Sequence, residues 1–413
     1  MSASQPKETE KLKKTLNLPL LIFYGVGTIL GLGIYVLLGK VGGEAGMLAP
    51  FAFLFAAILA GFTGLSYGEL SSRIPKSAGE VNYIDEAFGK KHLSMAMGWL
   101  IVLSAMVSTA TVVNGYVGYV HVFVEIPDWL VMISITLLLG AVGAKGISES
   151  AILITVITII EISGLFLVIF IAGDNLASFS TRWNEFIPGA SSTDWENIFL
   201  GAFLAFFTFI GFQDMVNVAE ETKNPEKHMP TAIMVSLGIL TVLYILVAVI
   251  AGLGLSQEEL NQSEAPLADI LAKEGEGYPK IISAIGLIAI VNGVLVQIVM
   301  SARVMYGMAE KKMAPGIFGK VHPYTSTPLW STIFATVFIL ILALSFDLKN
   351  LAIATNYILI LVFILINLAL IAIKRNVPHP EGIRTFPMAI PVLGAIFSFG
   401  ILVFQAWSSI SSA

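Results

Sequence analysis

Eleven runs of apolar residues, each about 20 residues long, dominate this chain. That length is about what a helix rising 1.5 Å per residue needs to cross the hydrocarbon of a bilayer. The runs fall at about 18–40, 46–71, 95–124, 129–147, 149–173, 197–220, 230–254, 280–307, 328–346, 350–373 and 388–408. In hydrocarbon every backbone amide and carbonyl must be satisfied within the protein, so only helices or a closed barrel can span. These runs are too long and too evenly apolar for the roughly 10-residue alternating strands of a barrel. The expected fold is therefore an all-α polytopic membrane protein with about 11 transmembrane helices. A charged fraction of 12%, against about 25% in soluble domains, argues the same way. No cysteine is present, which excludes disulfides, thiolate metal sites and cysteine nucleophiles. A net charge of -5 gives no reason to expect a nucleic-acid partner.

Lys and Arg fix the orientation. With the N-terminus inside, 18 of the 23 fall on the cytoplasmic side, among them Lys7, Lys11, Arg73, Lys90, Arg303 and Lys374. Only Lys40, Arg182, Lys273, Lys280 and Lys349 fall outside. One missed span would invert everything downstream of it, so this asymmetry supports the span count, a cytoplasmic N-terminus and an external C-terminus. Residues 1–17 are polar with no A-x-A-like cleavage pattern and read as a cytoplasmic tail. The segment 72–94, with Pro75, Gly79 and a mildly amphipathic stretch, is expected to lie along the cytoplasmic interface.

Two spans are poor helices. The first holds Gly25, Gly27, Gly31 and Gly33 within nine residues, where lipid offers the backbone no substitute partner. Such a run is either a small-residue packing face or a helix unwound near the midplane, whose free amides attract a carboxylate. The sixth span decides for the second reading. Its stretch Phe206-Phe207-Thr208-Phe209-Ile210-Gly211-Phe212-Gln213-Asp214 sets a glycine and polar groups among aromatics. Two interruptions five spans apart are what inverted repeats produce, because an odd number of helices flips the second copy. The expected organisation is a first repeat over 18–173, an external loop over 174–196, a second repeat over 197–375, and a cytoplasmic loop with an eleventh helix over 376–413.

Four segments carry a resemblance. They are Gly31-Leu32-Gly33-Ile34-Tyr35 followed by Gly39; Tyr67-Gly68-Glu69-Leu70 to Ser77; Phe209-Ile210-Gly211-Phe212 through Glu220-Glu221-Thr222-Lys223-Asn224-Pro225 to Ile233; and Ser301-Ala302-Arg303 to Pro315. In this order and on these helices the chain resembles the amino acid-polyamine-organocation (APC) permeases over about residues 18–375. The resemblance implies a five-plus-five inverted-repeat transporter with broken helices 1 and 6, and an amino acid or related amine as substrate. It implies that the substrate carboxylate meets amides near Gly31, Leu32 and Gly33, and that its ammonium meets carbonyls at Ile29 and from Phe207 to Ile210. Thr28, Thr208, Gln213 and Asn292 complete the expected substrate set, while Phe207, Phe209 and Asp214 are the expected gate. The chain departs from the family in three places: a bulky Leu32 between the glycines, Gln213 where many members carry an acid, and no lysine around Glu161 in the fifth span.

Glu161 lies mid-span, where a carboxylate costs about 2.5–3.5 kcal/mol on insertion scales. It is read either as the proton-coupling group or as a protonated structural acid bonded to Asn292 or to the first span. The eighth span has no midplane hydroxyl between Ile288 and Gln297, which disfavours sodium. Glu220 and Glu221 are expected to pair with Arg73 or Arg303. Asn114, Tyr116, Asn356 and Tyr357 are either pocket polars or helix-to-helix hydrogen bonds. The five histidines lie at loops or span ends with no H-E-x-x-H, so no metal site, cofactor or enzyme chemistry is expected. No ring of charges suggests a channel, and no soluble domain suggests a sensor. The sequence predicts a secondary transporter of the cytoplasmic membrane, moving an amino acid by alternating access with a proton. An exchanger or facilitator of amino acids or polyamines is the alternative.

Overall fold

The computed structural model describes residues 14–31, 33–76, 79–146 and 151–411. All eleven apolar runs are helical, and the only strand-like pairing among the described residues is one isolated bridge. Seven helices are long and apolar enough to cross a membrane by length and composition, with Ile34–Arg73 counted as one run. An eighth is added when the bent pair Thr155–Ile171 and Gly173–Phe186 is taken as one span. Leu18–Leu30, Asp128–Ala144 and Leu329–Ser345 are shorter apolar helices.

The first span is two helices, Leu18–Leu30 and Ile34–Ala45, separated at Gly31 and Gly33. Asn17 starts the first of them, its side chain accepting from the Leu20 amide. The sixth span begins as Ser192–Phe206, tightens into a 3-10 turn at Phe207–Phe209, and resumes as a second 3-10 stretch, Gln213–Glu221. This span is the most enclosed, with 83% of its apolar window buried, whereas the eleventh, Ala389–Ser411, has 22% and sits at the periphery. The inner half of span 1 packs on spans 5 and 7, span 2 runs along span 7, and span 3 along spans 8 and 10.

We call the end of the bundle where the N-terminus enters the near end, and the opposite one the far end. At the near end Leu16 and Thr222 form a parallel bridge. The Leu16 amide donates to the Glu221 carbonyl (3.0 Å) and the Lys223 amide to the Leu16 carbonyl (2.8 Å). The start of span 1 is thus tied to the end of span 6 by backbone alone.

Helix Gly79–Phe88 buries Gly79, Glu80, Val81, Tyr83 and Ile84 and packs on spans 3 and 10. One expectation for this end is corrected. Arg73 does not pair with Glu220 or Glu221. Its guanidinium is held by Glu69 one turn earlier (2.7 Å) and by the carbonyls of Val377 and Pro378. Glu69, fully buried, also takes Lys374 of span 10 on both oxygens (2.8 and 2.9 Å) and the Phe386 amide. An acid with two cations and an amide close by leaves Arg73 no geometry for the sixth span.

Candidate functional site

The two broken helices cross, and glycine makes the crossing possible. A Cβ on Gly33 would lie 2.4 Å from the Thr208 Cα, and one on Gly211 would lie 2.4 Å from the Thr28 carbonyl oxygen. Gly211 also has φ +120, a conformation closed to L side chains. Backbone therefore touches backbone at two points. The Thr28 hydroxyl adds a long bond to the Gly211 carbonyl (3.3 Å).

Freed backbone groups around the crossing are collected by side chains, as burial in an apolar bundle demands. The Tyr244 hydroxyl of span 7 donates to the Thr208 carbonyl (3.1 Å) and the Tyr119 hydroxyl of span 3 to the Tyr35 carbonyl (2.7 Å). The Tyr35 hydroxyl donates to the Glu161 carbonyl (2.6 Å), and Gln213 Oε1 accepts the Gly211 amide (2.9 Å). None of the three tyrosines had been singled out for this role. Nothing in the sequence separates them from other buried aromatics.

The expected substrate residues divide. Ile29, Gly31 and Gly33 gather at the break of span 1, with Thr28 crossing to span 6; Leu32 lies outside the described residues. The Gly31 amide is already bonded to the Gly27 carbonyl (3.1 Å), so Gly31 is not a free donor here. The first amides of the outer half-helix, on Ile34 and Tyr35, have no acceptor among the described residues and occupy the positions a helix leaves open. Gly31 faces the eighth span, its missing Cβ 3.2 Å from the Ala289 carbonyl. Asn292 is buried on the same span, and its Oδ1 has no hydrogen-bond partner among the described residues.

On span 6, Phe207 and Thr208 are buried at the break. The Phe209 ring packs on Tyr244 with centroids 5.2 Å apart. Ile210, Gln213 and Asp214 line a cavity on the near-end side. Gln213 is there as a cap for Gly211, and Asp214 accepts from Gln297 of span 8 (3.0 Å). Asn114 and Asn356 make helix-to-helix bonds, to the Ala343 and Phe203 carbonyls.

Glu161 is fully buried in span 5. Its carboxylate lies within electrostatic reach of Tyr35 and Tyr244, the tyrosines that serve the two broken helices.

The space around the crossing is unequal. Toward the far end a vestibule of about 290 Å³ is lined by Lys40, Asn114, Asn261, Glu264, Asp347 and Lys349. Toward the near end, a cavity beside Asp214 measures only about 20 Å³. Among the cavities around the described residues, the far-end vestibule is thus much the larger of these two.

The family model described as Amino acid permease matches residues 21–412. Among curated proteins the chain is 28% identical to the branched-chain amino acid permease BcaP of Bacillus subtilis (strain 168), over 97% of this chain and 90% of that protein. It is 27% identical to the methylthioribose transporter of the same organism, over 98% and 90%. To cationic amino acid transporter 3, mitochondrial, of Arabidopsis thaliana it is 26% identical, over 90% of this chain and 64% of the relative.

Proposed function

The chain belongs to the amino acid permease family, and we propose that it carries an amino acid across the cytoplasmic membrane by alternating access, together with a proton. The observation that carries this reading is the crossing of two broken helices in the middle of the bundle. The outer half-helix of span 1 points its open amides on Ile34 and Tyr35, and its positive dipole end, at the centre, which suits a carboxylate. Carbonyls near Ile29 and Phe207 suit an ammonium. Gly33, Thr28, Phe207 and Ile210 shape the space between them, and Phe207 closes it.

The substrates named for the relatives differ: branched-chain amino acids, methylthioribose and cationic amino acids. Ile29, Phe207 and Ile210 are apolar and buried, and the residues of the crossing include no acid to meet a cationic side chain. An apolar amino acid is the best fit. Residues 18–173 and 197–375 act as the two repeats, each opening on its broken helix. The N-terminus is cytoplasmic, so the vestibule of about 290 Å³ faces outside and the near end faces the cytoplasm.

Glu161 is the coupling group in this scheme. It is buried beside Tyr35 and Tyr244, so a change in its charge acts on the hydroxyl that ties span 1 to span 5 and on the one that holds the break of span 6. The test is uptake of a labelled amino-acid panel into proteoliposomes with an inward proton gradient, an inward sodium gradient or neither. Accumulation of leucine, isoleucine or valine that needs the proton gradient is expected, and Glu161→Gln should abolish the gradient-driven part while leaving counterflow. Full gradient-driven uptake by Glu161→Gln would remove Glu161 from the mechanism. Uptake only into liposomes preloaded with substrate would make the protein an exchanger.

A further inference from the structure

The cavity of about 20 Å³ below the crossing is walled by Glu80 of the tucked helix Gly79–Phe88, Asp214 of span 6, and Gln297 and Ser301 of span 8. A space of that size holds one water molecule, provided polar partners surround it. Ser301 supplies one: the residue is 1% exposed, lines the cavity, and its buried hydroxyl has no hydrogen-bond partner among the described residues. Glu80 is 3% exposed.

Among the described residues, no cation lines this cavity beside the pair. The third span presents Ile101 and Ala105, the eighth Gln297 and Ser301, and the tenth Leu359 and Val362. Arg303, two residues past Ser301, is exposed. The titratable groups near Glu80 are Tyr67 of span 2, Tyr83 of its own helix and Asp214. A buried carboxylate and a part-buried one facing one small cavity, with no cation among the groups lining it, cannot both be ionised at modest cost.

We propose that Glu80 and Asp214 hold one proton between them across this cavity, and that this proton is the bolt of the near-end gate. While it is bound, one acid donates toward the other through the cavity and the tucked helix stays packed against spans 3 and 10. When it leaves to near-end water, the two carboxylates repel, the cavity hydrates and the gate loosens. Burial, with Asp214 adding to it, raises the Glu80 carboxyl from 4.5 to about 8. The closed gate thus binds the proton more tightly than the open, hydrated one. Closure is strongest below the ordinary carboxylate value and weakens, by up to tenfold per pH unit, as pH rises toward about 8. This site is separate from Glu161 and sets when the near end opens, not what drives transport.

The chain contains no cysteine, so a single Ala105→Cys reports water access to the cavity in the purified, detergent-solubilised protein. Its modification rate with a cationic methanethiosulfonate reagent is divided at each pH by that of an exposed control, Ala190→Cys. The ratio should rise at least tenfold between pH 6 and pH 9. Adding Glu80→Gln should hold it at the low value throughout, and adding Asp214→Asn should shrink the rise. A flat profile in the Ala105→Cys protein, or an undiminished rise with Glu80→Gln, overturns the proposal. If Glu80→Gln does not purify, Asp214→Asn decides alone, and an unchanged rise there overturns it equally. No substrate is used, so the result stands apart from the amino acid assignment.

Discussion

The two ends of this bundle are held by different physics. At the far end the contacts are solvated: Lys349 pairs with Glu44 and Lys273 with Glu259, all partly exposed, around an open vestibule. At the near end the contacts are dry: Glu69 is clasped by Arg73 and Lys374 with almost no exposure, and Glu80 faces Asp214 over a space of about 20 Å³. Exposed ion pairs contribute about 0–1 kcal/mol and re-form easily. Buried ones cost several kcal/mol to break on one side. Separating the far-end contacts is therefore cheap and separating the near-end ones costly.

The largest effect is expected at the fulcrum between the ends. Gly211→Ala must push a methyl to 2.4 Å from the Thr28 carbonyl oxygen at φ +120, and should abolish uptake in proteoliposomes. Normal uptake would mean that no rigid crossing separates the two ends. Next comes the near-end clasp: Glu69→Gln leaves Lys374 buried and unmatched, and should destabilise by about 3–5 kcal/mol, read as a lowered melting temperature in detergent. Adding Lys374→Met should recover part of that loss. At the far end Lys349→Ala should cost less than about 1 kcal/mol by the same measurement; a drop as large as that of Glu69→Gln would erase the contrast.

The smallest effect is one of sign. Glu259 caps helix Gln257–Gln262 through the Ser256 amide, and this lowers its carboxyl from 4.5 to about 2. A lowered value stabilises above the ordinary carboxylate range and is lost as pH falls toward about 2. The raised value of Glu80 acts in the opposite direction. Amide exchange at Ser256, whose amide donates to the Glu259 carboxylate, should therefore stay slow at pH 4 and lose its protection only in stronger acid.

The chain's own pattern announced the spans, both breaks and the depth of Glu161, because lipid forces long apolar runs and makes glycine clusters and lone acids conspicuous. It did not announce Glu80, Gln297 or the three tyrosines. Helix Gly79–Phe88 reads as amphipathic whether its apolar side meets lipid or protein, and only packing on spans 3 and 10 decides. Phe209 reads like Phe207 until the 3-10 turn sets its ring on Tyr244. Arg73 had a partner four residues away, nearer than any on the sixth span. The helices that cross were thus legible in the sequence, while the contacts between them depended on geometry that single positions do not encode.

The bridge between Leu16 and Thr222 has a consequence of another kind. Its two bonds run from amide to carbonyl, so any residue except proline at position 16 or 223 can make them. The side chain at position 16 answers to packing, since Leu16 is buried, while the tie between the start of the first span and the end of the sixth answers to the backbone alone. A comparison of sequences would record the packing and miss the tie. A proline scan, applied to Leu16 and Lys223, would reveal them as a hinge pin.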